Sequence, residues 1–122
     1  MNREIKDYRD LLIWQKGIAL VKEIYLLSQR FPQTEIYGLS NQLRRAAISI
    51  PSNIAEGQSR QHTGEFRQFL YVALGSLAEV DTQLIIAREL SFLTEDSMMN
   101  AEKLITEFRK MIYTLIKRLP HT

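Results

Sequence analysis

The chain of 122 residues contains no cysteine, which excludes disulfides, thiolate-bound zinc and a cysteine nucleophile together. That absence fits a reducing compartment, and a cytoplasmic location is expected. Histidine is scarce: His62 and His121 are the two present. Neither follows a glutamate by three residues, so the Glu-x-x-His pair of di-metal helical bundles is missing. A Ser-His-Asp triad would have to draw on a loop or tail histidine, and both read as solvated bystanders. No G-x-x-x-x-G-K or G-x-G-x-x-G loop occurs to cradle a phosphate. Apolar runs are short, Leu11–Trp14 and Leu84–Ala87 among them, so no membrane span is expected. The opening ten residues carry six charges, unlike a secretory leader. No cofactor, no metal and no catalytic residue is expected, and the chain reads as a non-enzyme.

With three prolines and five glycines, long stretches run without interruption, and helical spacing fills them. An apolar fraction of 45% and a charged fraction of 25% are globular values, sufficient for one domain over residues 1–122. Ile13, Gly17, Leu20, Ile24, Leu27 and Phe31 form one stripe. Leu11, Trp14, Ile18, Val21, Tyr25 and Ser28 form a second beside it. Leu39, Leu43, Ala46, Ala47, Ile50 and Ile54 mark the next helix. Phe66, Leu70, Ala73, Leu77, Val80, Leu84 and Ala87 mark a third, and Met98, Ala101, Ile105, Phe108, Ile112, Leu115 and Leu119 a fourth. The spacing predicts helices at about 10–30, 34–57, 63–90 and 94–119. Short connections imply antiparallel neighbours, giving an all-α, up-down four-helix bundle.

Local signals refine this plan. Phe31-Pro32 and Pro120 stop helices. Gly57 is expected to cap the second helix, with Thr63 and Thr94 as N-caps of the third and fourth. Pro51 lies within the second helix and should kink it. Ser49, Ser52, Asn53, Ser76 and Glu79 read as a polar layer whose side chains answer the carbonyls that Pro51 releases. Gly75, costly in a helix, suggests close helix–helix approach. Glu56 and Glu79 could meet across two helices, but an acid/base pair also needs a cleft.

The net charge is only +2, so placement matters more than the total. Residues 76–100 set one cation, Arg88, against five carboxylates; residues 101–122 set five cations against two. One end of an antiparallel bundle should therefore be acidic. The other should be basic, collecting Arg3, Lys6, Arg9, Lys16, Arg60 and the end of the fourth helix. Arg109, Lys110, Lys117 and Arg118 form the densest cluster, and Arg44 and Arg45 a separate pair. These cations and Arg60 are the candidate phosphate contacts; complementing a helix C-terminus would explain the cluster equally well. Few aromatics interleave with them, which gives weak support to stacking on single strands.

The stretch Tyr37–Gly57, YGLSNQLRRAAISIPSNIAEG, strongly resembles the hallmark of the four-helix-bundle family of the 23S rRNA intervening-sequence protein. LLIWQKGIALVKEIY before it and EFRQFLYVALGSLAEVDTQL after it resemble that family's first and third helices. Gly17 stands where alanine is usual. The resemblance implies a bacterial protein that assembles as a ring-shaped homopentamer. The accessory variability protein of diversity-generating retroelements is similar in fold and assembly, has a basic surface, binds nucleic acid and partners a reverse transcriptase. Two functions are therefore expected in competition. One is a homo-oligomeric accessory protein that binds RNA or DNA largely without regard to sequence. The other is a scaffold or adaptor, for example for a reverse transcriptase, with no nucleic-acid affinity of its own. Trp14, Tyr25, Tyr71, Tyr113 and Ile116 are either surplus apolar surface for subunit contacts or core.

Overall fold

The computed structural model describes residues 7–120; Arg3, Lys6 and His121 lie outside the described residues. Four helices, α1 (Leu12–Ser28), α2 (Leu39–Ser59), α3 (Thr63–Glu89) and α4 (Glu95–Arg118), account for most of the chain. Single 3-10 turns at Tyr8–Asp10 and Gln33–Glu35 precede α1 and α2, and no strand occurs among the described residues. α1 packs on α2 and α4, and α3 packs on α2 and α4; α1 and α3 are not neighbours, nor are α2 and α4. The helices thus surround one core, with α1 and α3 on a diagonal.

The stripe Ile13, Gly17, Leu20, Ile24, Leu27 and Phe31 is buried in full. The second α1 stripe is only partly covered, with Ile18 and Tyr25 exposed. α3 contributes Leu70, Ala73, Leu77, Val80, Leu84 and Ala87 to the core, and α4 contributes Met98, Ala101, Ile105, Phe108, Ile112 and Ile116. Ile116 is therefore core. Trp14 packs against it with its ring edge-on to Tyr8 at 5.4 Å, while Tyr25, Tyr71 and Tyr113 remain exposed. α3 is also long and apolar enough, by composition, to cross a membrane. Counting uninterrupted runs misses this, because Gly75, Ser76, Glu79 and Asp81 break its apolar stretches while the mean hydropathy of the helix stays high.

Several boundaries differ from those expected. α2 begins at Leu39, since the chain before it is occupied by the 3-10 turn after Pro32. Gly57 does not cap α2; it lies buried inside the helix, and no glycine among the described residues has a positive φ. A Cβ at Gly57 would stand 2.6 Å from Phe69 Cβ, so the glycine serves close approach of α2 to α3. Gly75 is the reverse case: a Cβ there would meet nothing within 4 Å. His62, not Thr63, precedes the first turn of α3, and no side chain caps it. Thr94 does cap α4. Its Oγ1 accepts from Ser97 N at 3.1 Å, and Ser97 Oγ accepts from Thr94 N at 2.9 Å.

α2 continues as a helix through Pro51, which is buried against α1. A Cβ on Gly17 would lie 3.3 Å from Pro51 Cβ, so the small residue lets α1 reach the proline ring. Part of the expected polar layer forms around it, from Ser49, Asn53 and Ser76, whereas Ser52 and Glu79 are exposed. Ser49 Oγ bonds Ala46 O at 2.7 Å and Ser76 Oγ at 2.6 Å, and Asn53 Nδ2 donates to Ser49 O at 2.7 Å. The carbonyls these side chains reach, Ala46 O and Ser49 O, flank Ala47 O, the acceptor whose helical partner the proline removes, so the bonds form beside the released carbonyl and not to it. α3 ends on Ser91, with φ of 65°; Phe92 N donates back to Ala87 O at 2.8 Å, closing the turn. Phe92 then meets Phe31 at 5.7 Å, joining two connections at one end.

Two substitutions test these turns and contacts. Gly57→Ala should destabilise by about 1–3 kcal/mol despite better helix propensity, because overpacking outweighs it. Ser91→Gly should stabilise by about 1 kcal/mol, since glycine carries no Cβ penalty at positive φ. Denaturant melts of both variants against the parent check the opposite signs.

Candidate nucleic-acid interface

Residues seven apart on a helix return to nearly the same face. Lys103, Lys110 and Lys117 therefore share one outward stripe of α4, about 10 Å apart along the axis. All three are exposed, as is Arg118. None of these four cations has a carboxylate partner among the described residues. Lys110 and Arg118 also border a shallow groove between α4 and the start of α1. Its floor is apolar: Leu11, Leu12, Met111 and Leu115. Beside the stripe, Thr114 Oγ1 donates to Lys110 O at 2.9 Å.

The other expected contacts are differently placed. Arg109 faces Asp81 of α3 at 3.5 Å. Arg44 Nε donates to Ser28 Oγ at 2.7 Å, and its guanidinium lies 4.9 Å from the Tyr25 ring centre. It thereby fastens α2 to α1. Arg60 is held by Glu56 at 3.2 Å and Glu65 at 3.4 Å, over the Phe69 ring. Arg45 is exposed and has no ion-pair partner among the described residues, but it lies on the α2–α3 side of the bundle. Of the seven cations nominated, the fold brings Lys110, Lys117 and Arg118 together and adds Lys103. Heptad spacing was the signal for Lys103, visible in the sequence once counted.

The basic end is also less bare than its composition implies. Lys16 reaches Glu107 at 3.7 Å. Arg9 pairs with Asp7 at 2.8 Å; the Arg9 hydrogen bonds hold the exposed Asp7 carboxyl below its ordinary range, and Asp7 in turn raises Arg9. Arg67 donates to the carbonyls of Leu119 and Pro120, tying the start of α3 to the end of α4.

A second groove lies between α2 and α3 and is polar. Asn41, Arg45, Ser49, Asn53, Ser76 and Glu79 line it, with Tyr37 at its mouth. Glu79 is thus near Arg45, whereas Glu56 sits about three turns further along α2 with Arg60. The carboxylates do not form a pair. No group of three or more histidines and carboxylates gathers among the described residues.

A family model described as 23S rRNA-intervening sequence protein matches residues 9–114, from the first 3-10 turn through most of α4. No curated protein matches the sequence.

Arg44→Ala should cost about 1–2 kcal/mol, the worth of a partly exposed charged hydrogen bond and a ring contact. Arg45→Ala should stay within about 0.5 kcal/mol of the parent, as surface changes do. Urea melts of the two neighbours distinguish the structural arginine from the free one.

Proposed function

We infer from two facts that this is a self-assembling accessory protein that binds RNA or DNA: the chain belongs to the 23S rRNA-intervening sequence protein family, and α4 carries a row of cations with no carboxylate to answer them. In this reading the four helices run up and down. Two features support that sense: Phe31 and Phe92 meet at one end, and Arg67 binds the last carbonyls of α4 at the other. Copies assemble into a ring, a homopentamer by family resemblance, and the row repeats around it. Repetition turns a net charge of +2 per chain into a broad positive field. The protein is non-enzymatic and its ligand is the phosphate backbone, because contacts to phosphates carry little sequence information.

The unpaired row Lys103, Lys110, Lys117 with Arg118 carries this proposal. Each phosphate neutralised by such a cation releases a counterion, so affinity falls steeply with salt. A second reading, an adaptor for a protein such as a reverse transcriptase, is favoured by the apolar floor between Lys110 and Arg118. A partner retained on pulldown after nuclease treatment would support it.

Fluorescence anisotropy against labelled structured RNA and duplex DNA, across a salt series, tests the proposal. The parent should bind both, and two unrelated sequences should bind alike. Lys110→Glu, Lys117→Glu and Arg118→Glu together should abolish binding while circular dichroism stays helical. Lys103→Gln alone should lower the salt slope by about one. Binding that survives the triple reversal removes this surface.

A further inference from the structure

The outward face of α3 is unusually apolar for a helix in contact with solvent. Val72 is 44% exposed and Ile86 42% exposed, with Gly75, Ala78 and Thr82 between them. Gly75 costs α3 about 1 kcal/mol relative to alanine, and nothing within the chain repays it, since a Cβ there meets no atom within 4 Å. Gly75, Ala78, Thr82 and Ile86 line a groove that also takes in Leu39 and Gln83. Gln83 is only 8% exposed, and its Oε1 is a buried acceptor with no hydrogen-bond partner. Buried acceptors are nearly always satisfied, so the isolated bundle leaves an unmet cost beside this groove. A small-residue surface plus an orphan acceptor is built for close approach by another polypeptide.

The chain carries the matching surface on the diagonal helix. Leu12, Ala19 and Leu26 recur every seven residues on the exposed side of α1, and both leucines are 60% exposed. Because α1 and α3 lie on a diagonal of the bundle, these two exposed faces look away from each other. The charges beside them are complementary. Arg45 and Glu79 edge the α2–α3 face, Lys22 and Glu23 flank the α1 ridge, and none of the four has an ion-pair partner among the described residues.

We propose that the Gly75 face of α3 is a subunit interface and that its occupant is the α1 ridge of a second copy. Lys22 then meets Glu79 and Glu23 meets Arg45. The contact joins two different faces, so it is head-to-tail, and a repeated head-to-tail contact closes into a ring when its rotation permits. The inference rests on the self-assembly proposed above and names the surfaces that perform it.

Sedimentation velocity and native mass spectrometry of the full chain test it. The parent should assemble. Gly75→Leu, for which the isolated bundle has room, should fill the groove and give helical monomers. Glu79→Arg should raise the dissociation constant at least tenfold, and adding Lys22→Glu to that variant should restore assembly. Gly75→Leu assembling with the parent's mass would overturn this interface and leave self-assembly standing. A parent that stays monomeric at every concentration overturns both.

Discussion

Pro51 of α2 lies across from Gly17 of α1, and Gly57, further along the same helix, lies against Phe69 of α3. Each contact joins a residue without a side chain to a bulky or rigid neighbour, so three helices approach more closely than leucine-sized positions allow. Interiors are packed densely enough that one added methyl is felt. The remaining polar decisions follow from this approach. Ser49 can reach Ser76 because α2 and α3 are close, and Arg44 can reach Ser28 because α1 and α2 are. These bonds place hydroxyls and a guanidinium at the seams while aliphatic side chains fill the centre.

α4 stands apart from that arrangement. Its inner face is apolar and its outer face polar, so Lys103, Lys110, Lys117 and Arg118, which have no carboxylate partner among the described residues, are free to serve something other than the fold. Several other cations are answered: Arg9 by Asp7, Arg60 by Glu56 and Glu65, Lys16 by Glu107, Arg109 by Asp81; Lys22 and Arg45 have no such partner among the described residues. Exposed pairs of this kind add little stability, but they remove cations from the field a ligand would meet. The proposed phosphate surface is the row that this local cancellation leaves on one helix face. The outer face of α3 is a second remainder, apolar instead of charged, and the two lie on different helices. The α3 face is thus separate from the phosphate surface, whereas the α1 ridge that would dock on it adjoins that surface at Leu12, beside Lys110 and Arg118.

Much of this was legible in the chain itself. Helix number, most of the buried positions of the four helices and the Thr94 cap follow from spacing and local chemistry, because an isolated helix already knows its period and its first turn; Leu39, Phe66, Leu115 and Leu119 are only partly buried. Lys103 was legible too, through its sevenfold spacing from Lys110 and Lys117. Glycine was not. Gly57 and Gly75 look alike in sequence, yet one is pressed against Phe69 and the other faces open space. The difference lies in which neighbour stands opposite, a quantity no local window contains.

The same reason divides the arginines. Arg44 and Arg45 are adjacent, but 100° of helical rotation turns one toward Ser28 and Tyr25 of α1 and the other toward the α2–α3 groove. Sequence alone determined that this protein is helical, where its helices lie and how many charges it carries. Only the tertiary structure decided which charges cancel, which glycine admits a neighbour and which apolar surface is left over. Periodicity is a property of one helix, whereas pairing and burial belong to the distances between helices.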